Sequence, residues 1–145
     1  MHDCVFCKIA QSKIPSVKVF EDELFIVILD LYPVARGHTL LIPKEHHVNI
    51  FDVPDDLAQE VYPLLAKVAR ALRAATGANG LNIVQNNGEI SGQAVFHSHI
   101  HLIPRYNGDN LHFIAPGKVQ AEQEELKETA SNIINALVKQ HSLPY

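Results

Sequence analysis

Three histidines alternate with their neighbours in Phe96-His97-Ser98-His99-Ile100-His101-Leu102-Ile103, and nothing else in the chain restricts its folding as much. Side chains alternate faces along a strand. A strand over 96–103 therefore puts His97, His99 and His101 on one side. Phe96, Ser98, Ile100 and Leu102 then share the other, core-like side. Successive imidazoles stand ~6.6 Å apart on such a strand, whereas a helix would splay them to different sides. The competing explanation is a solvated strand face that happens to be rich in histidine. Strand faces turned to water ordinarily carry Thr, Lys or Glu instead.

The surrounding segments read as mixed α and β. Val5 to Gln11 suits a short helix. Val17 to Glu21 and Leu24 to Asp30 are rich in Val, Ile and Phe and are separated by the acidic pair Asp22-Glu23, which predicts a hairpin. Pro33 and Gly37 mark 31–37 as a loop. His38 to Pro43 and Gly80 to Gln85 predict two further strands. Leu57, Val61, Leu64, Leu65, Val68 and Leu72 recur at helical spacing, so Pro54 to Thr76 predicts the long helix. Gly77 ends it, and Pro63 inside it predicts a kink or a frayed start. Glu122 to Val138 predicts a second amphipathic helix. Strands that mostly follow one another, with two helices set apart, predict an α+β fold with a largely antiparallel five-stranded sheet.

Composition limits the function. The chain has 145 residues, 47% of them hydrophobic and 19% charged, which is one domain's worth of ordinary globular sequence. Twelve Lys and Arg against sixteen Asp and Glu leave a net charge of -4. That balance argues against a nucleic-acid or membrane-surface binder, because both need a basic face. No apolar run is long enough to span a bilayer, and the first residues carry no secretory pattern. Two cysteines in C-x-x-C spacing suit a reduced compartment, so the cytoplasm is the expected location. The unusual count is nine histidines, five of them in two tight groups.

A row of imidazoles has two chemical uses. One is metal binding, since H-x-H on a strand with a third histidine is a catalytic zinc arrangement. The other is nucleophilic attack on phosphorus by a neutral imidazole, with its neighbours moving protons and balancing charge. The polar loop Asn86-Asn87-Gly88-Glu89-Ile90-Ser91-Gly92-Gln93 runs directly into the row and offers N–H groups for phosphate oxygens. That position favours the second use. Cys4-x-x-Cys7 is separately half of a zinc site, with a redox pair and plain buried thiols as its alternatives.

The segment from Gly92 to Arg105 resembles the signature of the histidine triad (HIT) superfamily, and Ser98 departs from its usual apolar position. Cys4 to Ile9, Ile14 to Asp22 and Gly37 to His46 resemble further segments of that family, in the same order. The closest likeness is to the bacterial HINT-like, nucleotide-binding branch. The resemblance implies a single HIT domain over 1–145, with a core to about residue 110 and a C-terminal loop and helix after it. It also implies a homodimer whose sheets join across the two-fold.

For the chemistry, the resemblance implies that His99 attacks the α-phosphorus of a purine nucleotide such as an AMP or GMP derivative. His101, His38 and His97 would stand around it. Asn86, Gln93 and the backbone at Val95 would hold phosphate oxygens. Asp30 would take the ribose hydroxyls, and Phe6, Ile9, Ile28 and Leu31 would wall the base. The implied activity is hydrolysis of nucleoside 5'-phosphoramidates without a catalytic cofactor. Dinucleoside polyphosphate hydrolysis and nucleotide binding with weak catalysis are the alternatives. Ala94 stands where many relatives carry Ser or Thr, so one hydrogen-bond donor is missing. The resemblance further implies that Cys4 and Cys7 are completed by His46 and His97 as a closed structural Zn2+ site. His47 is the alternative to His46, and His2 a weaker one.

Overall fold

The computed structural model describes residues 3–113 and 117–141. They fall into two compact units, Met1–Leu111 and His112–Tyr145. The first holds a sheet of five antiparallel strands: β1 (Lys18–Glu21), β2 (Phe25–Leu29), β3 (Thr39–Pro43), β4 (Gly80–Val84) and β5 (Ile100–Arg105). Their spatial order is β1-β2-β3-β5-β4. Helix α1 (Val5–Ala10) precedes the sheet and α2 (Asp55–Thr76) joins β3 to β4. The second unit holds α3 (Gln123–His141), whose Leu126, Ile133, Ile134 and Leu137 are exposed.

The alternation of β2 and β3 explains the layers. Ile26, Ile28, Leu40 and Ile42 join Phe6 and Ile9 of α1 in one apolar cluster. Phe25, Val27 and Leu41 join Leu57 and Leu65 of α2, with Leu102 of β5, in another. The two central strands are thus buried on both faces, and α1 and α2 lie on opposite sides of the sheet. Each fully buried Leu, Ile or Val side chain contributes about 1.5–3 kcal/mol. The Asp22 carboxylate turns the first hairpin by accepting the Leu24 and Phe25 N–H groups at 2.8 and 2.7 Å.

Two expectations need correction. The histidine strand begins at Ile100, not Phe96. Residues 95–97 bend away from the ladder. The Ser98 N–H bonds the His47 carbonyl at 2.6 Å rather than a neighbouring strand, and Phe96 is exposed instead of core-facing. Nor does α2 fray at its start: it runs past Pro63 without interruption, and the Ala58 N–H closes its first turn on the Pro54 carbonyl. Pro63 sits on the exposed side of the helix, where a missing N–H leaves its partner carbonyl open to water.

Gly37 links the 31–37 loop to β3 with φ +89°, and a Cβ there would lie 3.0 Å from Thr76 Cγ2 and 3.2 Å from both Leu72 and Pro104. Left-handed backbone and close packing each disfavour a side chain. Gly37→Ala is expected to lower stability by about 2 kcal/mol, read as a fall in the urea midpoint with an unchanged m-value.

Candidate active site

A cavity of about 470 Å³ opens on the α1 face of the sheet. Phe6, Ile9, Ile28, Leu31 and Leu40 form its apolar wall, and Asp30, Asn86, Val95, His99 and His101 form its polar side. The strand register accounts for part of this. His101 pairs with Leu40 of β3 and Val84 of β4, so its ring emerges on the same face as Leu40 and Ile28. His99, two residues earlier, falls on that face as well. All four predicted base-wall residues line the cavity. Leu40 and Ser16 line it too and had no sequence signal beyond ordinary strand and loop patterns.

Hydrogen bonds assign the histidine protons. His99 Nδ1 lies 2.7 Å from the His97 carbonyl and must donate to it, which leaves Nε2 with a free lone pair. The Val34 N–H donates to His38 Nδ1 at 3.2 Å, so the His38 proton sits on Nε2. That proton is donated to His101 Nδ1 at 2.9 Å. The remaining His101 proton is then on Nε2. One imidazole thus offers a bare nitrogen and its neighbour an N–H, with ring centroids 5.0 Å apart. The Phe6 and His99 rings pack edge to face with their centroids 5.0 Å apart.

Burial keeps this group uncharged. It lowers the pKa of His38 and His99, and pushes His101 down to about 4 with help from neighbouring His99 and His38. Asp30 opposes the shift in His38, His99 and His101. Its Oδ2 lies 3.5 Å from His38 Nε2, and its Oδ1 accepts the Tyr32 N–H at 2.8 Å. Asp30, His38 and His101 bring three ligand-type atoms within 4.8 Å of one another. For both rings to ligate a cation, His38 Nε2 would have to lose the proton that now joins them.

His97 is not part of this group. Its ring turns away from the cavity, and its Nδ1 lies 3.3 Å from Cys4 Sγ and 3.5 Å from Cys7 Sγ. Its Nε2 donates to the Pro43 carbonyl at 2.7 Å, which leaves Nδ1 bare toward the sulfurs. His46 Nδ1 lies 3.2 Å from Cys7 Sγ. The four ligand atoms fall within 4.8 Å of one another. Two ligands of a tetrahedral zinc stand about 3.6 Å apart, so these four side chains fit that ion. His97, His99 and His101 do not converge on one point, which removes the catalytic-zinc alternative. His47 lies outside the cluster, beside Glu45 at 3.4 Å. His2 lies outside the described residues.

Gln93 does not line the cavity. Its carbonyl oxygen accepts from Gly88 N–H at 2.8 Å and from Asn49 Nδ2 at 3.4 Å. Its amide nitrogen donates to the Val48 and Val95 carbonyls at 2.6 and 3.1 Å. Every hydrogen-bonding position of the amide is engaged, so Gln93 shapes the 86–95 loop instead of facing a ligand. Asn86 and Ala94 do line the cavity.

Residues 11–108 match the HIT domain family. The chain is 45% identical over 139 residues to Protein hit of Bacillus subtilis, covering 93% of this chain and 94% of that protein. It is 38% identical over 130 residues to the adenosine 5'-monophosphoramidase hnt1 of Schizosaccharomyces pombe, covering 85% and 95%. It is 36% identical over 145 residues to the adenylylsulfatase HINT3 of Arabidopsis thaliana, covering 99% and 72%. Among solved structures, SMU.412c from Streptococcus mutans superposes with a TM-score of 0.90 at 42% identity, covering 94% of this chain and 87% of that one. A zinc-bound histidine triad family protein from Mycobacterium smegmatis superposes with a TM-score of 0.73 at 38% identity, covering 93% and 98%.

The lowered histidine pKa values set a sign for the response to acid. Below the ordinary histidine pKa the unfolded chain binds a proton at His101 and the folded chain does not. The folded state is therefore disfavoured as pH falls from about 6.5 toward about 4. The urea midpoint is expected to drop across that window, and His101→Gln is expected to reduce the slope.

Proposed function

The chain belongs to the HIT domain family, and on that premise we propose that it is a nucleotide-binding hydrolase that cleaves nucleoside 5'-phosphoramidates or related nucleoside monophosphate derivatives. The observation that carries this reading is the 2.7 Å hydrogen bond from His99 Nδ1 to the His97 carbonyl. It leaves Nε2 of a buried, neutral imidazole as a nucleophile at neutral pH. The volume of the cavity suits a purine nucleoside monophosphate. The base lies against Phe6, Ile9, Ile28 and Leu31. Asp30 accepts from the ribose hydroxyls, and Asn86 with the backbone at Val95 holds phosphate oxygens.

The reaction runs in two displacements. His99 Nε2 forms a bond to the α-phosphorus as the phosphorus–nitrogen bond to the leaving amine breaks. The His101 Nε2–H gives the departing amine its proton, and His38 steadies His101 from behind. Water then attacks the phosphorus and gives its proton back to His101 Nε2, the bond to His99 breaks, and nucleoside monophosphate leaves. No cofactor is consumed in either step. The activities named for the fission yeast and Arabidopsis relatives support hydrolysis at an adenylyl group. Ala94 on the cavity wall supports a slower turnover than a Ser or Thr donor would permit. The alternative reading, nucleotide binding with weak catalysis, draws on the same residue.

Cys4, Cys7, His46 and His97 are proposed to hold a structural Zn2+. With four protein ligands such a site has no open position. It supplies a cross-link between the start of α1, the segment after β3 and the bend before β5. The zinc-bound mycobacterial relative supports this reading. Two cysteines that hold a metal and are not joined as a disulfide agree with a reducing, cytoplasmic setting. A homodimer is proposed through β4, which lies at one edge of the sheet and exposes Ile83.

With adenosine 5'-phosphoramidate in the presence of EDTA, the native chain is expected to release AMP. His99→Ala is expected to lose at least about a hundredfold of that rate. Release indifferent to His99→Ala would sink the mechanism. Cys7→Ser is expected to abolish stoichiometric zinc in metal analysis and to lower Tm, while protein that is still folded retains most of its activity.

A further inference from the structure

His38 follows a loop, residues 31–37, whose outer side is fastened to two other elements. The Arg36 guanidinium donates to the Thr76 carbonyl at 2.9 Å. Thr76 is the last residue of α2, where a carbonyl has no partner within the helix and a cation meets the negative end of the dipole. The Tyr106 hydroxyl donates to the Arg36 carbonyl at 2.7 Å. The guanidinium also lies 5.3 Å from the centre of the Tyr106 ring. The inner side of the same loop carries the Val34 N–H that meets His38 Nδ1 at 3.2 Å. The His38 N–H closes the loop on the Ala35 carbonyl at 3.1 Å.

We propose that Arg36 and Tyr106 are positioning residues for the reaction: they hold the 31–37 loop so that the Val34 N–H keeps the His38 proton on Nε2, and His101 thereby keeps its own proton on Nε2. This rests on the reading of His101 as the proton donor. The reason lies in how the two rings share one hydrogen bond at 2.9 Å. Only one proton fits between His38 Nε2 and His101 Nδ1. If His38 moves its proton to Nδ1, its Nε2 becomes an acceptor and His101 must place its proton on Nδ1. His101 Nε2 is then bare. His99 and His101 would both present lone pairs, and the leaving amine would find no donor. The Val34 N–H forbids that state, since a protonated Nδ1 would face it donor to donor. Val34 is carried by the loop, which is tied at Tyr32 to Asp30 Oδ1 and on its outer side at Arg36 to Thr76 and Tyr106. Neither Arg36 nor Tyr106 lines the cavity, so neither touches the substrate.

The test uses Tyr106→Phe, Arg36→Met and the conservative Arg36→Lys in the full chain. Two quantities are read: steady-state hydrolysis of adenosine 5'-phosphoramidate, and the ring-nitrogen NMR shifts of His38 and His101 in ¹⁵N-labelled protein. The native chain is expected to show His38 Nδ1 and His101 Nδ1 as unprotonated nitrogens. In Tyr106→Phe and Arg36→Met, both signals are expected to move toward the protonated range. kcat should fall roughly tenfold while KM stays within about twofold. Arg36→Lys, which keeps a donor for Thr76, is expected to recover most of the rate and of the native pattern. Unchanged ring-nitrogen shifts in both disruptive variants would overturn the proposal, as would a raised KM with kcat intact. If the native chain hydrolyses no phosphoramidate, the functional reading has failed, and the ring-nitrogen shifts alone decide whether the loop controls the tautomers.

Discussion

His97 is the residue on which the rest of this site depends, because it makes three fixed contacts in three directions. Its Nε2 donates to the Pro43 carbonyl at the end of β3. Its Nδ1 faces the two cysteine sulfurs at the start of α1. Its backbone carbonyl accepts the proton of His99 Nδ1. A buried imidazole without partners would cost free energy. Here each polar atom is satisfied, and the result is a rigid junction between the N-terminal helix, the central strand and the proposed nucleophile. In the proposed chemistry, the same residue that gathers the metal ligands also leaves the reactive nitrogen of His99 bare.

The site works through neutrality more than charge. Three histidines, His38, His99 and His101, are packed together where burial disfavours the imidazolium. Uncharged rings can act as donors or acceptors, and which they are is set by a single backbone or ring contact in each case. Val34 sets His38, His38 sets His101, and the His97 carbonyl sets His99. Asp30 moderates the effect from the cavity rim without forming a full ion pair. The apolar wall of α1 and β2 lowers the polarity around the rings, which strengthens the hydrogen bonds between them.

Much of the fold was legible in the chain. The apolar runs of the first four strands and the patterns of the first two helices placed six elements, β1 to β4, α1 and α2, within about two residues, the usual uncertainty of an element end. Phe6, Ile9, Ile28 and Leu31, which line the cavity, were named only through the family resemblance, because their spacing alone reads as ordinary core. The roles of His97 and Gln93 were less legible. Period-two alternation put His97 beside His99, and only the family resemblance joined it to Cys4 and Cys7; the chain bends at 95–97 and sends its ring to the thiols. Gln93 looked like a free amide in a polar loop. Only the fold brings Val48, Asn49 and Gly88 to its side chain and uses all of its hydrogen bonds.

By itself, then, the sequence determined the alternation of faces, the burial of the central strands and the kinds of chemistry available, because these follow from local periodicity and side-chain type. The tertiary structure decided which nitrogen of each histidine carries a proton. That choice depends on single partners supplied from far along the chain, such as the Pro43 carbonyl for His97 and the His38 ring for His101. It also decided that one histidine of the row belongs to the cysteines and two to the cavity. No pattern along a strand could have separated them, since a bend of a few residues is stabilised by contacts the strand does not contain.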